Sequence, residues 1–323
     1  MGCTQSNKDE SYNFYDNIET YLNAIKSSEN GDTQQKVSTE CSSMSTAFYN
    51  RKNPKVAKSI CEKFLKLYIS LNEPLSKGKN DATYLSAVNF LNYWLNAELK
   101  KKLFKENIDV NDFYDNLETY AQSIDAISFL NIKEICVIKN DELNNMNILY
   151  NIYSNYYNVY NESDIVCNTK ATCIDYSKKC VQDYKKLIIK CPQIQSDFCK
   201  AIDMFKNKYE SLNKSTKSNG DFHSKDLISL PSYQEALEEY QSQLYRKKIT
   251  IATISIICSI FGIILILFYL YKFTPFGKWL PINKKNQEKR HLIKEKMYNY
   301  IDNSNEYSTY NEYTPYRFGY NST

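Results

Sequence analysis

The residues most able to do chemistry in this 323-residue chain are its ten cysteines. One, Cys258, lies in a long apolar run. The other nine are Cys3, Cys41, Cys61, Cys136, Cys167, Cys173, Cys180, Cys191 and Cys199, and five of them fall between Cys167 and Cys199. Thiols can ligate zinc or pair as disulfides. Zinc sites draw on C-x-x-C pairs or nearby histidines. The chain has no C-x-x-C, and its two histidines, His223 and His291, lie far from the cluster. The nine cysteines therefore read as a disulfide set, provided the chain before the apolar run reaches an oxidising compartment. Cys173 and Cys180 stand seven apart, which puts them on one helix face, a spacing suited to bridging onto a neighbouring helix. An odd count leaves one thiol free or pairs it between chains. The spacing does not fix the connectivity.

Other reactive groupings are sparse. His223 and His291 sit in polar segments with no nucleophile and orienting group around them, so no catalysis is expected. Seven glycines, none clustered, provide no phosphate-cradling loop, and no cofactor or metal is expected. With 41 basic and 37 acidic residues, net +4, there is no nucleic-acid footprint. Met1–Ser6 (MGCTQS) fits an acylation pattern at Gly2 and Cys3. Acylation would hold the N-terminus in the cytosol, against the charge bias described below, so a chance glycine and a disulfide-forming Cys3 are expected instead. N-x-S/T triplets occur at Asn161-Glu162-Ser163 and Asn213-Lys214-Ser215.

The element that positions everything else is Ile249–Tyr271, an uncharged run of 23 residues. As a helix it covers roughly 34 Å, enough to cross a bilayer core. Lys and Arg occur three times in the twenty residues before it and six times in the twenty after it. That bias places the tail in the cytoplasm and residues 1–248 outside. Met1–Ile25 has no apolar run of seven or more, so the span itself is expected to act as the signal. In the tail, Lys284, Lys285, Lys289 and Arg290 form a basic run beside the membrane, able to contact anionic lipid heads at about 1 kcal/mol per charge. The Tyr-, Asn- and Ser-rich end reads as disordered.

Before the span, apolar residues recur at helical spacing. The stripes are Tyr15, Ile18, Leu22 and Ile25; Ile60, Phe64, Leu67 and Leu71 after Pro54; Tyr84, Val88, Leu91, Leu95 and Leu99; Phe113, Leu117, Tyr120, Ile124 and Ile127; and Met146, Leu149, Tyr153, Tyr157 and Tyr160. Two more helices are expected over Cys173–Ile189 and Ser196–Leu212, and another over Ser232–Arg246. Ser28–Thr46 and Ser211–Ser232 are polar and read as loops, the second as a stalk. No alternating strand pattern stands out. Asn13–Ile25 and Asp112–Ile124 match at eight positions in register. The expected architecture is an all-α, disulfide-stapled ectodomain (1–212), a stalk and juxtamembrane helix (213–248), a single transmembrane helix (249–271) and a short disordered cytoplasmic tail (272–323).

Several pieces together resemble the Plasmodium interspersed repeat (Pir) variant proteins, the Vir-like group in particular. They are Phe90–Asn96 (FLNYWLN), the Cys167–Cys199 cluster, the span followed by Lys272–Leu280 (KFTPFGKWL), and Tyr316–Thr323 (YRFGYNST). The strongest is the span with Phe273, Thr274, Pro275, Gly277 and Leu280 after it. The MGCTQS start and the absence of an R-x-L-x-E/Q/D export signal depart from the family. The resemblance implies a malaria-parasite membrane protein at the infected erythrocyte surface or in an exported membrane compartment, acting in antigenic variation, immune evasion or host-cell adhesion. It also implies a host-cell receptor or antibody as partner of the ectodomain and a cytoskeletal or trafficking partner for the tail. The rival expectation is an internal membrane-anchored scaffold or trafficking protein with reduced thiols.

Overall fold

The computed structural model describes residues 10–30, 34–46, 48, 53–101, 110–124, 135–161, 163–273, 292–294 and 296. They divide into two compact units, 1–243 and 244–323.

The first unit is helical. A 3-10 segment, Glu10–Asn17, leads into α1 (Ile18–Asn30). There follow α2 (Gln35–Thr46), α3 (Pro54–Ser70), α4 (Asn72–Leu75), α5 (Ala82–Lys101), α6 (Val110–Ala121) and α7 (Asn140–Tyr157). A hairpin of β1 (Tyr160–Asn161) and β2 (Asp164–Ile165) precedes α8 (Lys170–Ile188) and α9 (Asp197–Lys214). A second hairpin, β3 (Ser218–Asn219) with β4 (Phe222–His223), and a 3-10 turn at Ser224–Asp226 lead to α10 (Tyr233–Phe273), whose first residues belong to this unit.

Local chemistry sets the helix starts. Asn53 accepts from the Val56 N–H just before Pro54, Thr169 from Thr172 and Ser196 from Cys199, so α3, α8 and α9 each begin with a side-chain cap. At α10, Ser232 and Glu235 form a reciprocal capping box: the Ser232 N–H donates to the Glu235 carboxylate at 2.7 Å, and the Glu235 N–H to the Ser232 hydroxyl at 3.3 Å.

The expected stripes make the core. Tyr84, Val88, Leu91, Leu95 and Leu99 of α5 are all buried, as are Ile60, Phe64, Leu67 and Leu71 of α3 and its end. α7 packs on α8, and α2 on α3 and α6. Tyrosine is a core residue here because its hydroxyl finds a partner inside. Tyr15 donates to the Met146 carbonyl at 2.6 Å, Tyr21 to Ser86 at 2.7 Å and Tyr93 to Asn147 at 3.0 Å.

Two polar segments are more ordered than their composition suggests. Ser28–Thr46, expected as a loop, contains α2, with Val37, Cys41 and Met44 buried. Its serines and threonines, which favour turns by bonding to nearby backbone, instead bond back within the helix. Thr39 donates to the Gln35 carbonyl at 2.9 Å and Ser42 to that of Ser38 at 2.6 Å. Packing against α3 and a disulfide to it outweigh low propensity. The expected stalk likewise folds onto the first unit over 213–232. Phe222 is wholly buried and Leu227 nearly so. Gly220 opens the β3–β4 loop at φ 60°, a left-handed conformation open to glycine.

The second unit begins at Leu244 and holds the rest of α10. The expected juxtamembrane helix and span are thus one helix of 41 residues. Its apolar stretch has a mean hydropathy of 2.8 with none of that stretch buried, so it is long and apolar enough to cross a membrane. Gly2, Cys3, Thr274, Pro275, Gly277, Leu280, Lys284, Lys285, Lys289, Arg290 and the tail tyrosines lie outside the described residues. Phe273 is the last residue of α10 and is exposed.

Candidate functional site

Six of the described cysteines pair within 20 residues of one another in sequence. Cys41 on α2 bonds Cys61 on α3, Cys167 bonds Cys173 at the start of α8, and Cys191 bonds Cys199 at the start of α9. Cys136 is also disulfide-bonded. The inter-helix bridge expected for Cys173 and Cys180 is not formed. Cys173 is used by a residue six positions earlier, and Cys180 is a free, buried thiol that donates to the Ile152 carbonyl on α7 at 3.5 Å. Burial, with a smaller push from Asp183, raises the Cys180 thiol to about 12, so it stays protonated and inert. The other free cysteine among the described residues is Cys258, on the apolar part of α10.

The local bridges fasten the irregular parts to the helices. Asn219 of the second hairpin donates to the Ile165 and Cys167 carbonyls at 3.0 and 3.2 Å, which ties the two hairpins together next to the Cys167–Cys173 bridge. Lys170 pairs with Asp226 at 2.9 Å. The backbone hydrogen bond from His223, then Lys170, holds the Asp226 carboxyl below the usual range. A closed ring of three bonds pins the segment after the turn. The Ile228 N–H donates to Ser177 at 2.8 Å, Tyr209 donates to the Ile228 carbonyl at 2.8 Å, and the two hydroxyls meet at 2.6 Å. Tyr209 gives its proton to the carbonyl, so Ser177 is the donor in the hydroxyl pair. Asn213 donates to the Leu227 carbonyl at 3.1 Å, a further hold on the same segment.

Sequence reading missed a grip by α5. Asn92 and Asn96, one turn apart in the FLNYWLN segment, hold the extended residues 135–139 by their backbone. The Cys136 N–H donates to Asn92 Oδ1 at 2.9 Å, Asn96 Nδ2 donates to the Cys136 carbonyl at 2.9 Å, and the Ile138 N–H donates to Asn96 Oδ1 at 3.0 Å. The carboxamide serves the segment as a strand partner would. The i, i+4 asparagine pair was the available signal.

A surface groove of about 360 Å3 runs beside α7 and α9, lined by Tyr156, Tyr157, Tyr160, Glu19, Lys208 and Ser211 among others. Lys208 Nζ donates to Tyr157 Oη at 2.8 Å. Its 5.4 Å separation from the ring centroid is nearly the hydroxyl's own reach plus that bond, so the ammonium lies beyond the hydroxyl and not over the ring face. Burial and then the Glu19 carboxylate, which hydrogen-bonds the hydroxyl, push the Tyr157 phenol well up.

The structure thus defines a helical, disulfide-bonded protein with, among the described residues, one membrane-length apolar helix late in the chain. The chain belongs to the Plasmodium variant antigen protein Cir/Yir/Bir family, whose family model matches residues 4–272. That is the Pir family to which the sequence resemblance pointed, although the matching description names Cir, Yir and Bir and not the Vir-like group. No curated protein and no solved structure matches it. The chain is therefore a membrane-type member of a Plasmodium variant antigen family.

Proposed function

We propose that the chain displays its helical unit on the outer face of an infected erythrocyte or exported membrane, with the tail from Lys272 in the cytoplasm. There the unit acts as a variable target and adhesive surface, in antigenic variation, immune evasion and host-cell adhesion. The observation that carries this reading is the state of the cysteines. Among the eight described cysteines outside the apolar run, all but Cys180 are disulfide-bonded, and such bonds persist in oxidising compartments and not in cytosol. The three-to-six bias of basic residues across Ile249–Tyr271 gives the same orientation.

A core held by short disulfide loops can keep its shape while exposed segments change. A host receptor or an antibody is the partner assigned to the helical unit, and a cytoskeletal or trafficking partner to the tail. Lys284, Lys285, Lys289 and Arg290 are assigned to anionic lipid heads of the inner leaflet. No catalytic step belongs to this reading. The test is an antibody raised against the oxidised helical unit and applied to infected cells. Labelling of intact cells supports the proposal; labelling only after permeabilisation contradicts it.

A further inference from the structure

The chain contains two Asn-Gly steps, Asn30-Gly31 and Asn219-Gly220. Of these, Asn219-Gly220 lies wholly within the described residues, where Asn219 ends β3 and Gly220 opens the tight loop to β4. An Asn-Gly step is chemically labile in water, because glycine has no side chain to shield its backbone nitrogen from the carboxamide before it. Asn219, Gly220 and Asp221 are exposed, so water reaches all three. The Gly220 N–H donates to no acceptor among the described residues. Its chain neighbours aside, nothing lies within 4 Å of where a Cβ on Gly220 would stand. The nucleophile is therefore free and open.

The electrophile is held. Asn219 Nδ2 donates to the Ile165 and Cys167 carbonyls at 3.0 and 3.2 Å, the tie between the two hairpins. That same nitrogen is the leaving group of the reaction, so both bonds must break before it departs. The tie slows the chemistry, and the chemistry removes the tie.

We propose that Asn219-Gly220 is a self-modification site, at which deamidation through a cyclic imide converts Asn219 to aspartate and isoaspartate and unfastens the second hairpin from the first. The Gly220 nitrogen gives its proton to water and bonds to Asn219 Cγ; the Cγ–Nδ2 bond breaks, and Nδ2 takes a proton and leaves as ammonia. Water then opens the imide at Cγ to give aspartate, or at the backbone carbonyl to give isoaspartate. Overall water enters and ammonia leaves, and nothing is oxidised or reduced. In the aspartate an oxygen stands where the donor stood. An ionised carboxylate only accepts, so the Ile165 and Cys167 carbonyls meet negative charge in place of N–H groups. In the isoaspartate the backbone gains a methylene at the residue paired with Phe222, which breaks the register of β3 with β4. Lys217 and Asp164, 4.0 Å apart, also link the two hairpins, but an exposed pair of this kind contributes little. The chemistry needs only water, so it is the same on either side of a membrane.

The test ages the full-length chain in maltoside micelles at mildly alkaline pH and follows the Asn219 peptide by mass spectrometry. Asn30-Gly31, in the same chain, reports whether the conditions drive the reaction. Asn219 is expected to convert in the folded, oxidised protein, about tenfold more slowly than after reduction in urea, as the two hydrogen bonds to be broken imply. The aged fraction folded before it reacted, so its properties report the modification and not a folding defect. Hydrogen exchange across 160–165 and 218–223 is expected to run faster in that fraction than in fresh protein, and Asn219→Asp to show the same rise without ageing. Conversion of Asn30 with none at Asn219 in the folded protein overturns the proposal. So does a converted fraction whose exchange across both hairpins matches that of fresh protein, and so does an Asn219 that reacts as fast folded as unfolded.

Discussion

Asn96 holds Ile138 by its backbone, with the Ile138 N–H donating to Asn96 Oδ1 at 3.0 Å while the same side chain donates to the Cys136 carbonyl at 2.9 Å. Asn96 is buried, so these polar groups have no water to turn to. Replacing Asn96 with Leu removes its bonds to the Ile138 N–H and the Cys136 carbonyl, at about 1–3 kcal/mol for each buried bond lost. Urea unfolding should show a lower midpoint with an unchanged slope. A change under about 0.5 kcal/mol, the range of ordinary surface substitutions, would show that the grip is incidental.

The disulfides should rank by loop length. Cys41–Cys61 closes a separation of 20 residues, against 6 for Cys167–Cys173 and 8 for Cys191–Cys199. Loop entropy gives about 3 kcal/mol for the first and about 2 for either of the others. Paired Cys→Ala variants, compared by thermal unfolding, should keep that order. Greater destabilisation on removing Cys167–Cys173 would mean that its hold on the hairpins matters more than chain entropy.

Cys180 should be silent until the protein opens. Its burial and its raised thiol predict no reaction with maleimide in the native state, and reaction on unfolding. Mass spectrometry of the Cys180 peptide after native labelling is the check. Rapid native labelling would place it at an accessible surface.

Alkaline pH should weaken the helical unit. Tyr150 and Tyr184 are each pushed up to about 12, by burial first and by nearby carboxylates second. In the unfolded chain they titrate near 10. The folded state therefore favours the protonated phenols. This contribution is fully present below about pH 10 and is lost as pH rises towards about 12. Melting temperature should fall across that window, with tyrosinate absorbance at these positions rising together with unfolding. Full tyrosinate absorbance in a still-folded protein near pH 10 would contradict the burial.

The helical stripes of α3 and α5 were legible because burial of one face imposes a period that survives in a single sequence, and the span was legible because an uncharged run of that length has few other uses. The structure departs from the sequence reading where tertiary contacts decide. α2 hides behind Ser and Thr, and only its packing on α3 and the Cys41–Cys61 bond hold it as a helix. Phe222 and Leu227 pack the expected stalk onto the first unit with no periodic pattern. Disulfide partners follow spatial proximity, so a helix-face argument for Cys173 and Cys180 gave way to a turn that brings Cys167 to Cys173. The hold of Asn92 and Asn96 depends on a segment some forty residues away, which their own spacing does not name. The groove joins Glu19, Tyr157 and Lys208 from three helices, and no linear motif marks such a set.

The central claim is that the disulfide-bonded helical unit lies outside a membrane that α10 crosses. Protease protection on intact infected cells tests it most directly, with one antibody to the helical unit and one to a tag after Thr323. External trypsin should remove the first signal and spare a membrane-held fragment carrying the second. Survival of both signals until the red cell is permeabilised would contradict the account and place the protein on an internal membrane.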